Sequence, residues 1–184
     1  MLPEISLNIL DIAQNSIKAE ASLLEIIVET DADNFLHLTI KDDGWGMTPE
    51  ELSHVCDPFY TSRTTRKVGL GVPFVKQEAE STGGTFSIES AKNIGTTLTA
   101  TFNQNSIDCM PLGDIASTIH LLVIGNENID IVFDYQVRDN GFTLDTRQFR
   151  EILGDGVSFQ LPEVSAYIKD FLVEGIAEVN GMHN

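Results

Sequence analysis

Apolar residues recur along this chain with two periods, and the switches between them lay out its elements. Residues 4–20 carry the helical period. Ile5, Ile9, Ile12 and Ser16 follow one stripe, and Leu10, Ala13 and Ile17 widen it. Asp11 and Asn15 interrupt that apolar helix four residues apart, so they project together, about 40° from one another. Residues 23–29 and 35–41 read as strands joined through the polar turn 31–34. Thr48, Pro49 and Glu51 spell the start of a short helix: an N-cap, a first-turn proline and the far half of a capping box. A polar stretch follows. A second helix spans 72–81 and is stopped by Gly83-Gly84, and strands 85–90 and 96–102 are joined through 92–95. Further on, 119–124 and 129–137 read as strands around 125–128. Asn140-Gly141 signals a hairpin into 142–144. Asp145 is placed to cap a short helix to Leu153. Residues 162–179 form an amphipathic helix with Ala166, Ile168, Phe171, Leu172 and Ile176 as its apolar candidates.

The order helix, two strands, polar segment, helix, two strands predicts an α+β fold, a two-layer sandwich whose mostly antiparallel sheet carries helices on one face. The expected division is a domain over 1–105 and a small α+β C-terminal appendage over 106–184, in which no catalytic constellation stands out.

Composition narrows the partners. Of 184 residues 42% are hydrophobic, enough for a core, and no run of 18 apolar residues is present. Cys56 and Cys109 have neither metal-ligand spacing nor the look of a disulfide framework, and no secretion signal opens the chain. A cytoplasmic setting without a membrane is therefore expected. The net charge of −17 argues against nucleic acid. Against that acidic background Arg63, Arg66 and Lys67 cluster, which suggests a small anion site.

The chemistry concentrates at Asp42-Asp43-Gly44-Trp45-Gly46-Met47, where a strand ends. A carboxylate there can accept from an exocyclic amine, and glycines let a flat ring approach the backbone. Adenine presents that amine; guanine presents a carbonyl. Asn15 offers a neutral oxygen suited to a Mg²⁺ ion that keeps waters and shares phosphate oxygens. Lys18 lies one turn further along. Gly69, Leu70 and Gly71 precede a helix N-terminus, where free N–H groups favour an anion.

These motifs, in this order over roughly residues 5–102, resemble the GHKL superfamily of ATP-binding domains, which includes histidine kinases, type II topoisomerase subunits, MutL proteins and heat-shock chaperones. The segment Asp11-Ile12-Ala13-Gln14-Asn15-Ser16-Ile17-Lys18 resembles the family's asparagine box, which implies Asn15 as the magnesium ligand. Asp42-x-Gly44-x-Gly46 resembles the first glycine box, implying Asp42 rather than Asp43 as the adenine contact. Pro58-Phe59-Tyr60-Thr61-Ser62-Arg63 is similar to the phenylalanine box of histidine kinases, bringing Phe59 and Arg63 into the site. Gly69-Leu70-Gly71 resembles the second glycine box, although Lys67 stands where kinases begin it with another glycine. Gly95-Thr96-Thr97 resembles the closing strand motif, in which Thr96 would fix adenine through water. The resemblance implies the Bergerat sandwich, with ATP and Mg²⁺ as cofactors.

It leaves the outcome of ATP binding open. Too few residues precede the asparagine box for a phosphoacceptor hairpin, and none of His37, His54, His120 and His183 sits in an acceptor pattern. Phosphoryl transfer would go to a partner protein. Asp11 stands where hydrolysing members carry Glu, so it is a candidate to orient water in a slow ATPase or an ATP-gated switch; a surface acid or a contact near the magnesium is the alternative. A nucleotide sensor without turnover is the third reading.

Overall fold

The computed structural model describes residues 4–60 and 70–181. It opens with α1 (Ile5–Lys18), then the hairpin β1 (Leu23–Thr30) and β2 (Phe35–Asp42), the short α2 (Pro49–His54), α3 (Gly71–Ser81), and a second hairpin, β3 (Phe86–Ala91) and β4 (Gly95–Asn103). After these come α4 (Ile115–Gly125), the hairpin β5 (Asp130–Val137) and β6 (Asn140–Asp145), α5 (Thr146–Leu153) and α6 (Pro162–Gly181).

Local chemistry explains the boundaries. Asp31 turns the first hairpin: its Oδ1 accepts the N–H groups of Asp33 and Phe35, each at 2.9 Å, and Asn34 takes a left-handed φ of 65°. Thr48 and Glu51 complete the capping box of α2, each side chain accepting the other's backbone N–H.

All six strands form one sheet in the order β3-β4-β2-β1-β5-β6. Every pairing is antiparallel except β1 with β5, which is parallel. Alternate residues face the helices and are buried: Leu24, Ile26 and Val28 on β1, Leu36, Leu38 and Ile40 on β2, Leu98, Ala100 and Phe102 on β4, Ile131, Phe133 and Tyr135 on β5. Helices α3, α1, α4 and α6 lie side by side over them, and the buried side chains form one core. The α+β sandwich expected from the pattern is the observed architecture. The sheet is mixed because β5 enters parallel to β1. No boundary interrupts the sheet near residue 105; the C-terminal strands extend it.

One expected strand is a helix. Residues 119–124, read as extended, belong to α4. Asp114 caps this helix, its Oδ1 accepting Ser117 N–H at 3.0 Å, and Ile115, Ala116, Ile119, Leu122 and Val123 are buried at helical spacing. A short unbroken apolar run has no polar residues to show its period, so strand and buried helix look alike in sequence. His120 consequently sits in α4, where its Nε2 meets Ser165 Oγ of α6 at 2.9 Å.

Candidate functional site

The register of four strands places Leu24, Asp42, Thr96 and Ser90 in one row on the helix-covered face. A row at that depth would ordinarily be apolar, as Leu24 is. Asp42 is instead a carboxylate only 9% exposed. Such a group is costly to bury unless it is hydrogen-bonded, and it is: Oδ2 accepts from Ser16 Oγ at 2.5 Å and Oδ1 from Gly44 N–H at 2.9 Å. Beside it, Thr96 Oγ1 lies 2.8 Å from Ser90 Oγ.

The loop that follows β2 is fastened at successive residues. Asp43 faces away from Asp42's side of the strand and closes on the start of β1, its Oδ1 accepting Ser22 N–H at 2.7 Å and Leu23 N–H at 2.9 Å, with Ser22 Oγ on the other oxygen. Partial burial pushes the Asp43 carboxyl up, but the Ser22 hydroxyl and these two N–H groups outweigh it and hold it below the usual aspartate range. Trp45 N–H donates to Ala19 O at 3.0 Å, Asn93 N–H to Trp45 O at 2.7 Å, and Met47 N–H to Ser90 Oγ at 2.8 Å. Gly46 sits at φ 67° with no room for a side chain: a Cβ would lie 1.9 Å from Ala91 O. Lys92 joins this loop to α2, reaching Gly46 O at 3.3 Å and Glu51 Oε2 at 3.1 Å.

Helix α1 connects this polar row to a second one. Asp11, Asn15 and Lys18 share one side of it, spaced four and three residues apart. Asp11 Oδ2 accepts Gly71 N–H at 2.6 Å, so the carboxylate rests on the first residue of α3. A Cβ at Gly71 would lie 2.6 Å from that oxygen, so a larger residue there would push the carboxylate away. Asn15 is half-buried and Lys18 exposed. Leu70 holds the N-cap position of α3 and is 48% exposed.

The structure thus brings Asp42, Gly44, Gly46 and Thr96 together at the sheet end, and Asp11 and Gly71 at the mouth of α3, with Asn15 and Lys18 on the same side of α1. It does not bring Phe59 in: that ring is 90% exposed, while neighbouring Tyr60 stacks on His54. Arg63 and Gly69 lie outside the described residues, as do Arg66 and Lys67 of the basic cluster. Sequence reasoning missed Ser16 and Ser90 as site residues. A hydroxyl on an otherwise apolar stripe was the available signal for Ser16; Ser90 emerges only from the β3–β4 register.

A magnesium ion fits these donors only in part-share with a nucleotide. No group of three His, Cys, Asp or Glu side chains converges among the described residues. Asn15 supplies one neutral oxygen, which matches an ion that keeps most of its waters and takes phosphate oxygens.

The family profile for histidine kinase-, DNA gyrase B-, and HSP90-like ATPases matches residues 3–106, more than half of the chain. The chain belongs to this ATPase family. Among its relatives are the sensor histidine kinase YvrG of Bacillus subtilis, 30% identical over 95 residues (49% of this chain, 16% of YvrG), and sporulation kinase E of the same organism, 31% identical over 107 residues (57% and 14%). The heme sensor protein HssS of Staphylococcus saprophyticus is 40% identical over 67 residues (36% and 15%). The chain therefore spans only about a sixth of the length of these relatives. Two solved structures share its fold over most of its length: the N-terminal domain of a DNA repair protein (TM-score 0.56, 16% identity, covering 84% of this chain and 58% of that one) and the Aquifex aeolicus MutL ATPase domain complexed with ADP (TM-score 0.53, 11% identity, 83% and 70%). Both alignments reach past residue 106, so the shared fold includes part of the C-terminal elements. Family membership supports ATP binding. No described helix is long and apolar enough to cross a membrane.

Proposed function

We propose that the chain binds Mg-ATP, with adenine at the Asp42–Thr96 row and the phosphates over the side of α1 that carries Asp11, Asn15 and Lys18. The observation that carries this reading is the buried Asp42 carboxylate, held at a strand end by Ser16 and Gly44. A fixed acceptor beside the Thr96 hydroxyl is what an adenine amine and its neighbouring ring nitrogen require. Asn15 would hold Mg²⁺ together with phosphate oxygens; the ion supplies charge neutralisation at the γ-phosphate. Lys18 adds a mobile positive charge along the same helix.

The bound γ-phosphoryl group goes to a partner protein in this reading, in keeping with the sensor and sporulation kinases among the relatives. Labelled ATP incubated with the chain and candidate acceptor proteins should transfer label to one of them. Repeated absence of transfer, with binding intact, would overturn the kinase reading.

One observation favours a second outcome, slow hydrolysis. Asp11 is a carboxylate at the phosphate end, engaged among the described residues with the Gly71 N–H, a donor that phosphate would also seek. Displaced by the nucleotide, it is free to orient a water. Steady phosphate release that disappears in Asp11→Asn, while ATP still binds, would select this outcome.

A further inference from the structure

Asp42 is the acceptor in the adenine reading, but an acceptor discriminates only if its oxygens are aimed. The carboxylate is the last residue of β2, and the strand alone leaves both of its side-chain torsions to be set. Two donors from different elements set them. Gly44 N–H, in the loop, holds Oδ1; Ser16 Oγ, on α1, holds Oδ2 at 2.5 Å. Ser16 is 3% exposed, so this bond is buried away from bulk solvent. A carboxylate has about four acceptor positions. The two donors occupy one on each oxygen and leave the others in fixed directions.

We infer that Ser16 is a positioning residue that aims the Asp42 carboxylate and thereby sets the selectivity of the site for a 6-aminopurine. The inference rests on the nucleotide reading above and deepens it. It has a second consequence. Ser16 directly follows Asn15, so one helix step of about 1.5 Å and 100° separates the residue that holds the purine acceptor from the residue offered to magnesium. Any movement of α1 that accompanies metal and phosphate binding is carried to Asp42 through the 2.5 Å bond, and the coupling is reciprocal.

The test compares ATP with purine riboside triphosphate, which is ATP without the 6-amino group, each with Mg²⁺, in the full chain. The wild type should prefer ATP. In Ser16→Ala, ATP affinity should fall about 5–20-fold, while purine riboside triphosphate affinity stays unchanged, so the preference collapses. Ser16→Thr, which keeps the hydroxyl, should retain the preference. Ser16→Cys, close in size with a weak donor, should behave like Ser16→Ala and serves if the alanine variant does not fold. A purely structural role for Ser16 predicts equal weakening of both nucleotides; that result, or an unchanged preference in a folded Ser16→Ala or Ser16→Cys chain, would overturn the inference while leaving adenine binding intact. A wild type that binds neither nucleotide would overturn the nucleotide reading itself, and this inference with it.

Discussion

The two ends of the site are built on different principles. The end proposed for adenine is a finished polar network. Asp42 has donors on both oxygens, Thr96 and Ser90 face one another, and the loop carrying Gly44 and Gly46 is fastened to α1, β1 and the β3–β4 turn. The end proposed for the phosphates is satisfied internally: the Asp11 carboxylate occupies the Gly71 N–H that a phosphate would use in that reading. In the proposed reading the first end would recognise by preorganisation, at a place where strands fix the geometry. The second would exchange an internal anion for an external one. A chain with a net charge of −17 has reason to place that anion carefully, since every phosphate arrives against the overall field.

The largest effect should come from breaking the preorganised end outright. Gly46→Ala places a Cβ 1.9 Å from Ala91 O at a left-handed φ, so the loop cannot close on the β3–β4 turn. Adenine-nucleotide binding should be lost while the far half of the sheet keeps its circular dichroism. A milder lesion is Asp42→Asn, which removes one charge-assisted bond and should weaken ATP by about 10–150-fold, measured by titration of Trp45 fluorescence. Unchanged affinity would remove Asp42 from the site.

The phosphate end should respond in the opposite direction. Asp11→Asn keeps an acceptor for Gly71 N–H but removes the charge, so ATP and ADP should bind about two- to fivefold more tightly and adenosine equally well. Equal changes for all three ligands would show that Asp11 does not compete with phosphate.

The smallest effect concerns the loop's anchor. The Asp43 carboxyl is held below the usual aspartate range in the folded chain despite partial burial, because Ser22 and Leu23 donate to it. Its ionised form is therefore favoured by folding. The stability it contributes is present above the ordinary aspartate pKa and is lost as pH falls through the lower folded-state value, below about pH 4. Thermal melts of Asp43→Asn should show a shallower loss of stability over that window than the wild type; identical slopes would contradict the role given to Asp43.

The same contrast explains what was legible in the sequence. Helix α1 is long and amphipathic, so its stripe and the two polar interruptions, Asp11 and Asn15, could be read directly. The glycine loop after β2 was legible because its residue types are rare together. Ser16 was placed on the stripe, but a lone hydroxyl there does not say which carboxylate it meets 26 residues later. Ser90 depended on strand register, and the parallel pairing of β5 with β1 on a contact between residues more than a hundred apart in sequence. Helix α4 was misread because its apolar run is too uniform to reveal a period, and that error hid how the C-terminal strands join the sheet.

Selection of adenine by Asp42 would show as a difference between adenine and guanine nucleotides. Isothermal calorimetry in the presence of Mg²⁺ tests it most directly. ATP and ADP should give saturable heats and GTP none. No heat with any adenine nucleotide, or equal heats with ATP and GTP, would contradict it.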